Sequence, residues 1–131
     1  MGRSRASAKA AGSAFERSIA DYLAVHLDDD RIDRRVKTGA RDKGDIAGVR
    51  HLGQRVVIEC KEYGGRFLVG EWLREADIER GNDDAAAGLV IAKRRGTTDP
   101  GDQVVLMTVR DLAHLLTGTH PNDVTDTART A

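Results

Sequence analysis

The sequence predicts an α/β fold, a mixed central sheet flanked by helices, and three observations carry that prediction. Residues 55–60 (RVVIEC) form a β-branched, apolar run between turn-prone Gly53 and Gly64-Gly65, which reads as a buried strand. Residues 86–93 (AAGLVIAK) are continuously apolar until the final lysine, as in a strand covered on both faces. Phe15, Ile19, Tyr22 and Leu23 recur at helical spacing, and so do Leu68, Trp72 and Ala76.

Taken in order, residues 1–12 are an Ala/Ser/Arg/Lys arm that reads as disordered or only partly helical. Ser13-Ala14-Phe15-Glu16 has the form of a capping box opening a helix, which Asp28-Asp29-Asp30 ends. Residues 31–37 are a short charged strand, and residues 38–44 a polar, glycine-bounded loop. Residues 45–52 and 54–62 read as a hairpin around Gly53. A second helix is expected over residues 68–80, with Gly81 as its stop. Strands over 86–93 and 103–108 and a helix over 109–116 complete the order, α-βββ-α-β-β-α. From Thr117 the Thr/Asp/Pro/Asn composition reads as a disordered tail. The expectation is one domain over residues 13–116.

Of the 131 residues 40% are hydrophobic and only 4% aromatic, so the core must be aliphatic. The 21 basic and 21 acidic residues cancel, which excludes a global field drawing in nucleic acid. The distribution is uneven. Residues 31–43 hold Arg31, Arg34, Arg35, Lys37, Arg41 and Lys43 against Asp33 and Asp42, six minus two, an excess of four positive charges. Such a patch fits a polyanion touched by one face, or a charged edge strand that resists aggregation. Cys60 is the only cysteine, so there is neither an internal disulfide nor a thiolate metal site. Without a leader-like apolar segment or a membrane-length run, the chain is expected to be cytoplasmic and soluble, with no membrane partner.

The chemistry concentrates in Gly44-Asp45-Ile46 and Glu59-Cys60-Lys61. Residues i and i+2 of a strand share a face, so Glu59 and Lys61 point one way and Cys60 the other, as a small buried hydrophobe. Asp45 and Glu59 stand near the ends of adjacent strands, where their carboxylates can converge. Two carboxylates with a backbone carbonyl make a hard oxygen site for magnesium, or manganese in its place. The competing reading is a strand-end ion pair. Lys61 can orient or activate a water or stabilise phosphate charge. Glu16 is either the reciprocal acid of the capping box or a carboxylate turned to the sheet and needing a partner, a metal-bound water or Lys61. Trp72 falls on an apolar stripe and reads as core.

Asp45 followed by Glu59-Cys60-Lys61 at the end of an apolar strand resembles the PD-(D/E)XK nuclease superfamily, with Gly44 where the motif's proline would stand. The closer resemblance is to small Holliday-junction resolvases of the archaeal type. It rests on Phe15-Glu16-Arg17, Arg34-Arg35-Val36-Lys37-Thr38-Gly39, the Asp-Ile and Glu-x-Lys elements, and covers residues 13–116. What it implies is a restriction-endonuclease-like αβββαβ core and a magnesium-dependent DNA endonuclease acting as a homodimer. Glu16, Asp45, Glu59 and Lys61 would be catalytic, with metal held by Asp45, Glu59 and the backbone carbonyl of Cys60. Arg34, Arg35, Lys37, Thr38, Arg41, Lys43 and Arg66 would contact DNA, expected to be a four-way junction. Two alternatives stand beside this: a related nuclease cutting duplex or flapped DNA, and a non-catalytic DNA-binding module of the same fold.

Overall fold

The computed structural model describes residues 3–37 and 39–123. Helix α1 spans Arg5–His26 and is capped by Ser4, whose hydroxyl accepts the N–H of Ser7. The expected start at Ser13 is therefore corrected, and of the two readings of the preceding arm, disordered or partly helical, residues 5–12 follow the helical one. Ala6, Ala8, Ala10 and Ala11 are strong helix formers, and they carry the helix through the residues set aside as arm. Ser13 lies well inside the helix.

The strands are β1 (Asp33–Arg34), β2 (Ile46–Ala47), β3 (Arg50–His51) and β4 (Gln54–Lys61), then β5 (Ala87–Ala92) and β6 (Val104–Leu106) beyond helix α2 (Val69–Asn82). Helix α3 (Val109–Thr117) follows. The result is a mixed α/β fold, three helices on a six-stranded sheet of order β1-β2-β4-β5-β6, with β3 paired to the start of β4. Among the described residues only β4 and β5 run parallel, joined by the α2 crossover. The remaining pairs are antiparallel.

The expected strand over 45–52 is broken in two. Ile46 pairs with Ile58 but Arg50 with Arg55, so the three residues 47–49 on one side face the two residues 56–57 on the other, a one-residue bulge. Gly48 makes it possible: its φ is +91°, and a Cβ there would stand 2.4 Å from the Arg31 carbonyl oxygen. The hairpin at Gly53 is present, with Leu52 and Gly53 at φ +49° and +80°, the left-handed pair of a two-residue turn.

Alternation along β4 divides the core. Val56, Ile58 and Cys60 pack with Leu89 and Ile91 of β5 under Phe15, Ile19 and Ala20 of α1. On the opposite face Val90 and Ala92 pack against Trp72 and Ala76 of α2. Trp72 is 1% exposed, a core residue as expected, and β5 is buried along its whole length. Helix α2 continues through Gly81, the expected stop, to a cap at Asp83. Thr117 is helical and residues 121–123 form a 3-10 turn, so the tail expected from Thr117 begins as ordered chain. Residues 124–131 lie outside the described residues. Among the described residues no helix is long and apolar enough to cross a membrane.

Candidate metal centre and its basic rim

Asp45 is held where β2 opens from β4. Its N–H donates to the Ile58 carbonyl at 2.8 Å, and its own carbonyl accepts the Arg35 N–H at 2.7 Å. Gly44 allows the close approach, because at φ +94° a Cβ would lie 3.0 Å from the Ile58 carbonyl oxygen. Both carboxylate oxygens of Asp45, a residue only 3% exposed, are engaged. Oδ2 accepts the Cys60 N–H at 2.8 Å, and Oδ1 accepts Lys37 Nζ at 3.0 Å. Burial opposes ionisation, but bonds from Glu59, the Cys60 amide and Lys37 outweigh it, and Asp45 titrates below the usual carboxylate range.

Glu59 projects from β4 towards α2 and meets Glu79. With Asp42 of the preceding loop these form an acidic triad, one oxygen from each lying within 4.8 Å of the others, which could bind a metal. Glu59 and Glu79 are 7% and 6% exposed, and each has a buried Oε2 with no hydrogen-bond partner. Burial first, then Glu79 and Asp45, push the Glu59 carboxyl up to about 11, so it carries its proton at neutral pH. Burial raises Glu79 as well. Asp42 is placed by its loop: its carboxylate accepts the Gly44 N–H at 2.9 Å and its carbonyl accepts Asn82 Nδ2 at 2.7 Å. Orphaned, buried carboxylate oxygens are costly unless a cation or proton answers them. All-oxygen donors with open solvent on the Asp42 side suit magnesium or manganese.

The other expected site residues divide. Glu59 and Lys61 do share a face, but Lys61 donates to Glu75 at 2.6 Å, one helical turn from Glu79 on α2. Burial disfavours its charge, yet Glu75 and Glu59 raise its pKa, so it stays an ammonium. Glu16 is not in the cluster. Its partner is Arg34 at 3.1 Å, in place of the expected metal-bound water or Lys61. Cys60 is buried on the α1 face, where burial and nearby carboxylates push its thiol up. Its carbonyl alternates to the β2 side of β4, the side that carries Asp45.

Arg35 pairs with Asp83 at 3.5 Å, and Lys37 with Asp45. Arg41 and Lys43 are exposed and line, with Arg35, Lys37 and Asp42, an open cavity of about 220 Å³ beside the triad. Arg66 is exposed, in the turn between β4 and α2. Thr38 lies outside the described residues.

Asp42, Glu75 and Glu79 were not anticipated. Glu79 had a legible signal, since Trp72, Ala76 and Glu79 occupy i, i+4 and i+7 of one helical stripe and a carboxylate there must face the sheet. Asp42 had none beyond its nearness to Asp45. No protein-family model, curated protein or solved structure matches this chain.

Proposed function

We propose that this protein is a metal-dependent DNA endonuclease of the PD-(D/E)XK type, with a restriction-endonuclease-like core, resolving four-way junctions as a homodimer. One observation carries the reading: Glu59 and Glu79, each with a buried carboxylate oxygen that has no hydrogen-bond partner, converge with Asp42, which also lines the adjoining basic cavity. A carboxylate cluster whose nearby ammonium groups are bonded to other acids has the donor chemistry of a hard-cation site. The adjoining arginines and lysines suit the phosphate backbone that such a cation would act upon.

Asp42, Asp45, Glu59, Glu79 and the Cys60 carbonyl are the groups that would hold magnesium. Bound there, the ion would polarise a phosphoryl oxygen, acidify a water and steady the leaving oxygen. This chain's own residues orient and neutralise. Lys37, Arg41 and Lys43, which line one cavity, would grip the phosphate backbone. Lys61, an ammonium held by Glu75, stabilises developing negative charge and does not serve as a base. A four-way junction needs paired cuts, and a two-fold dimer supplies matched sites.

The test is incubation of the protein with labelled four-way junction, linear duplex and single strand, in magnesium or EDTA. Magnesium-dependent, symmetric nicking confined to the junction is expected. Cutting of duplex or single strand would keep the chemistry and remove the junction assignment, and intact binding without any cutting would overturn the catalytic reading.

A further inference from the structure

The cluster contains two unlike carboxylate environments. At Asp45 both oxygens are answered, one by the Cys60 amide and one by the Lys37 ammonium. At Glu59 and Glu79, which are more than nine-tenths buried, one oxygen each is answered by nothing. The nearby cations are committed elsewhere: Lys37 to Asp45, Lys61 to Glu75 and Arg35 to Asp83. We propose that the first divalent cation binds at Asp42, Glu59 and Glu79, and that Lys37 holds the place of a second one on Asp45. The proposal deepens the metal-centre reading of this site and rests on it.

Three elements supply the ligands of the first position, and Asp45 is not among them. Glu59 comes from the centre of the sheet, Glu79 from the buried stripe of α2, and Asp42 from a loop pinned to α2 through Asn82 Nδ2. Two ligands are rigid and buried, while Asp42 is exposed and leaves a path for a hydrated ion. The second position differs. The Cys60 amide bond is fixed by the sheet, so a cation on Asp45 must take the oxygen that Lys37 holds. The Lys37 side chain is 61% exposed and can leave without disturbing the core. A phosphate on the rim formed with Arg41 and Lys43 offers its ammonium another partner. Arrival of the DNA backbone therefore frees the Asp45 oxygen, and the second cation enters together with substrate.

The test counts Mn2+ bound to the full chain without DNA, by electron paramagnetic resonance of the free ion, with folding checked by circular dichroism. One ion per wild-type chain is expected. Glu79→Gln, with Asp42→Asn as a second variant on an exposed loop, should weaken that binding about tenfold or more, while Asp45→Asn stays within about threefold of wild type. Lys37→Met, which keeps the stem and removes the charge, should bind two ions per chain. Unchanged affinity in both Glu79→Gln and Asp42→Asn would overturn the first position, and so would a loss in Asp45→Asn equal to theirs. A Lys37→Met chain that still binds one ion would overturn the second. Mn2+ binding as described in a protein that cuts no DNA would refute the endonuclease reading alone, whereas Mg2+-dependent cutting with Glu79-independent binding would refute this proposal alone.

Discussion

Replacing Glu59 by glutamine separates the electrostatic cost of the acidic cluster from its packing. Glutamine has nearly the same shape, and its amide resembles the protonated carboxyl that burial, Glu79 and Asp45 enforce. The folded protein raises this carboxyl from 4.5 to about 11, so the neutral form is the one the fold favours. Its contribution to stability is then complete below pH 4.5 and is lost progressively as pH climbs towards the folded value. At about 1.36 kcal/mol per pH unit, the loss between pH 4.5 and pH 7 amounts to about 3 kcal/mol. Glutamine does not ionise and escapes that loss, and its NH2 can answer the orphaned Glu79 oxygen. With about 2.1 cal/mol/K of unfolding entropy per residue over 131 residues, the gain corresponds to a Tm higher by about 10 °C. Thermal melts of both proteins in EDTA, followed by circular dichroism, should show this advantage at pH 7 and almost none at pH 4.5. A variant less stable than wild type by the same amount at both pH values would refute the strained, metal-free cluster.

Other expectations follow from the same geometry. Because Glu59 must give up its proton to ligate a cation, Mn2+ affinity should rise by up to about tenfold per pH unit between pH 6 and 8, measured by isothermal titration calorimetry, with proton uptake by buffer. Arg41→Ala with Lys43→Ala should weaken junction binding and lower the slope of log K against log salt by about two, because both exposed side chains would lose a phosphate. Arg34→Ala should change binding less, since Arg34 is already paired with Glu16. Gly48→Ala should destabilise by roughly 3 kcal/mol or more in urea melts, because a Cβ at φ +91° would meet the Arg31 carbonyl at 2.4 Å.

What was legible in the sequence was whatever a local pattern determines. The β-branched run of β4, the all-apolar β5, the turn at Gly53 and the buried Trp72 follow from periodicity and turn chemistry. The shared face of Glu59 and Lys61 follows from the pleat. Local pattern also misled. Ser13 and Glu16 have capping-box spacing, but Ser4 supplies a cap and an alanine-rich stretch continues the helix past both. The bulge at Gly48 depends on register with β4, which only pairing decides. The partners of the charged residues were the least readable part. Glu16 meets Arg34, Lys61 meets Glu75 and Lys37 meets Asp45, each across elements whose separation in space the sequence does not encode locally. Glu79 is the exception, since it continues the helical stripe of Trp72 and Ala76.

The central claim is that these carboxylates hold a cation that hydrolyses DNA. The most direct measurement is binding and single-turnover cutting of one labelled four-way junction by wild type, Asp45→Asn and Glu59→Gln, side by side. The account predicts magnesium-dependent cutting by wild type alone, with both variants still binding the junction: Asp45→Asn as tightly or more tightly because it removes negative charge near phosphate, and Glu59→Gln as tightly because it replaces a carboxyl that is already neutral. Cutting by either variant at the wild-type rate, or by wild type in EDTA, would contradict it.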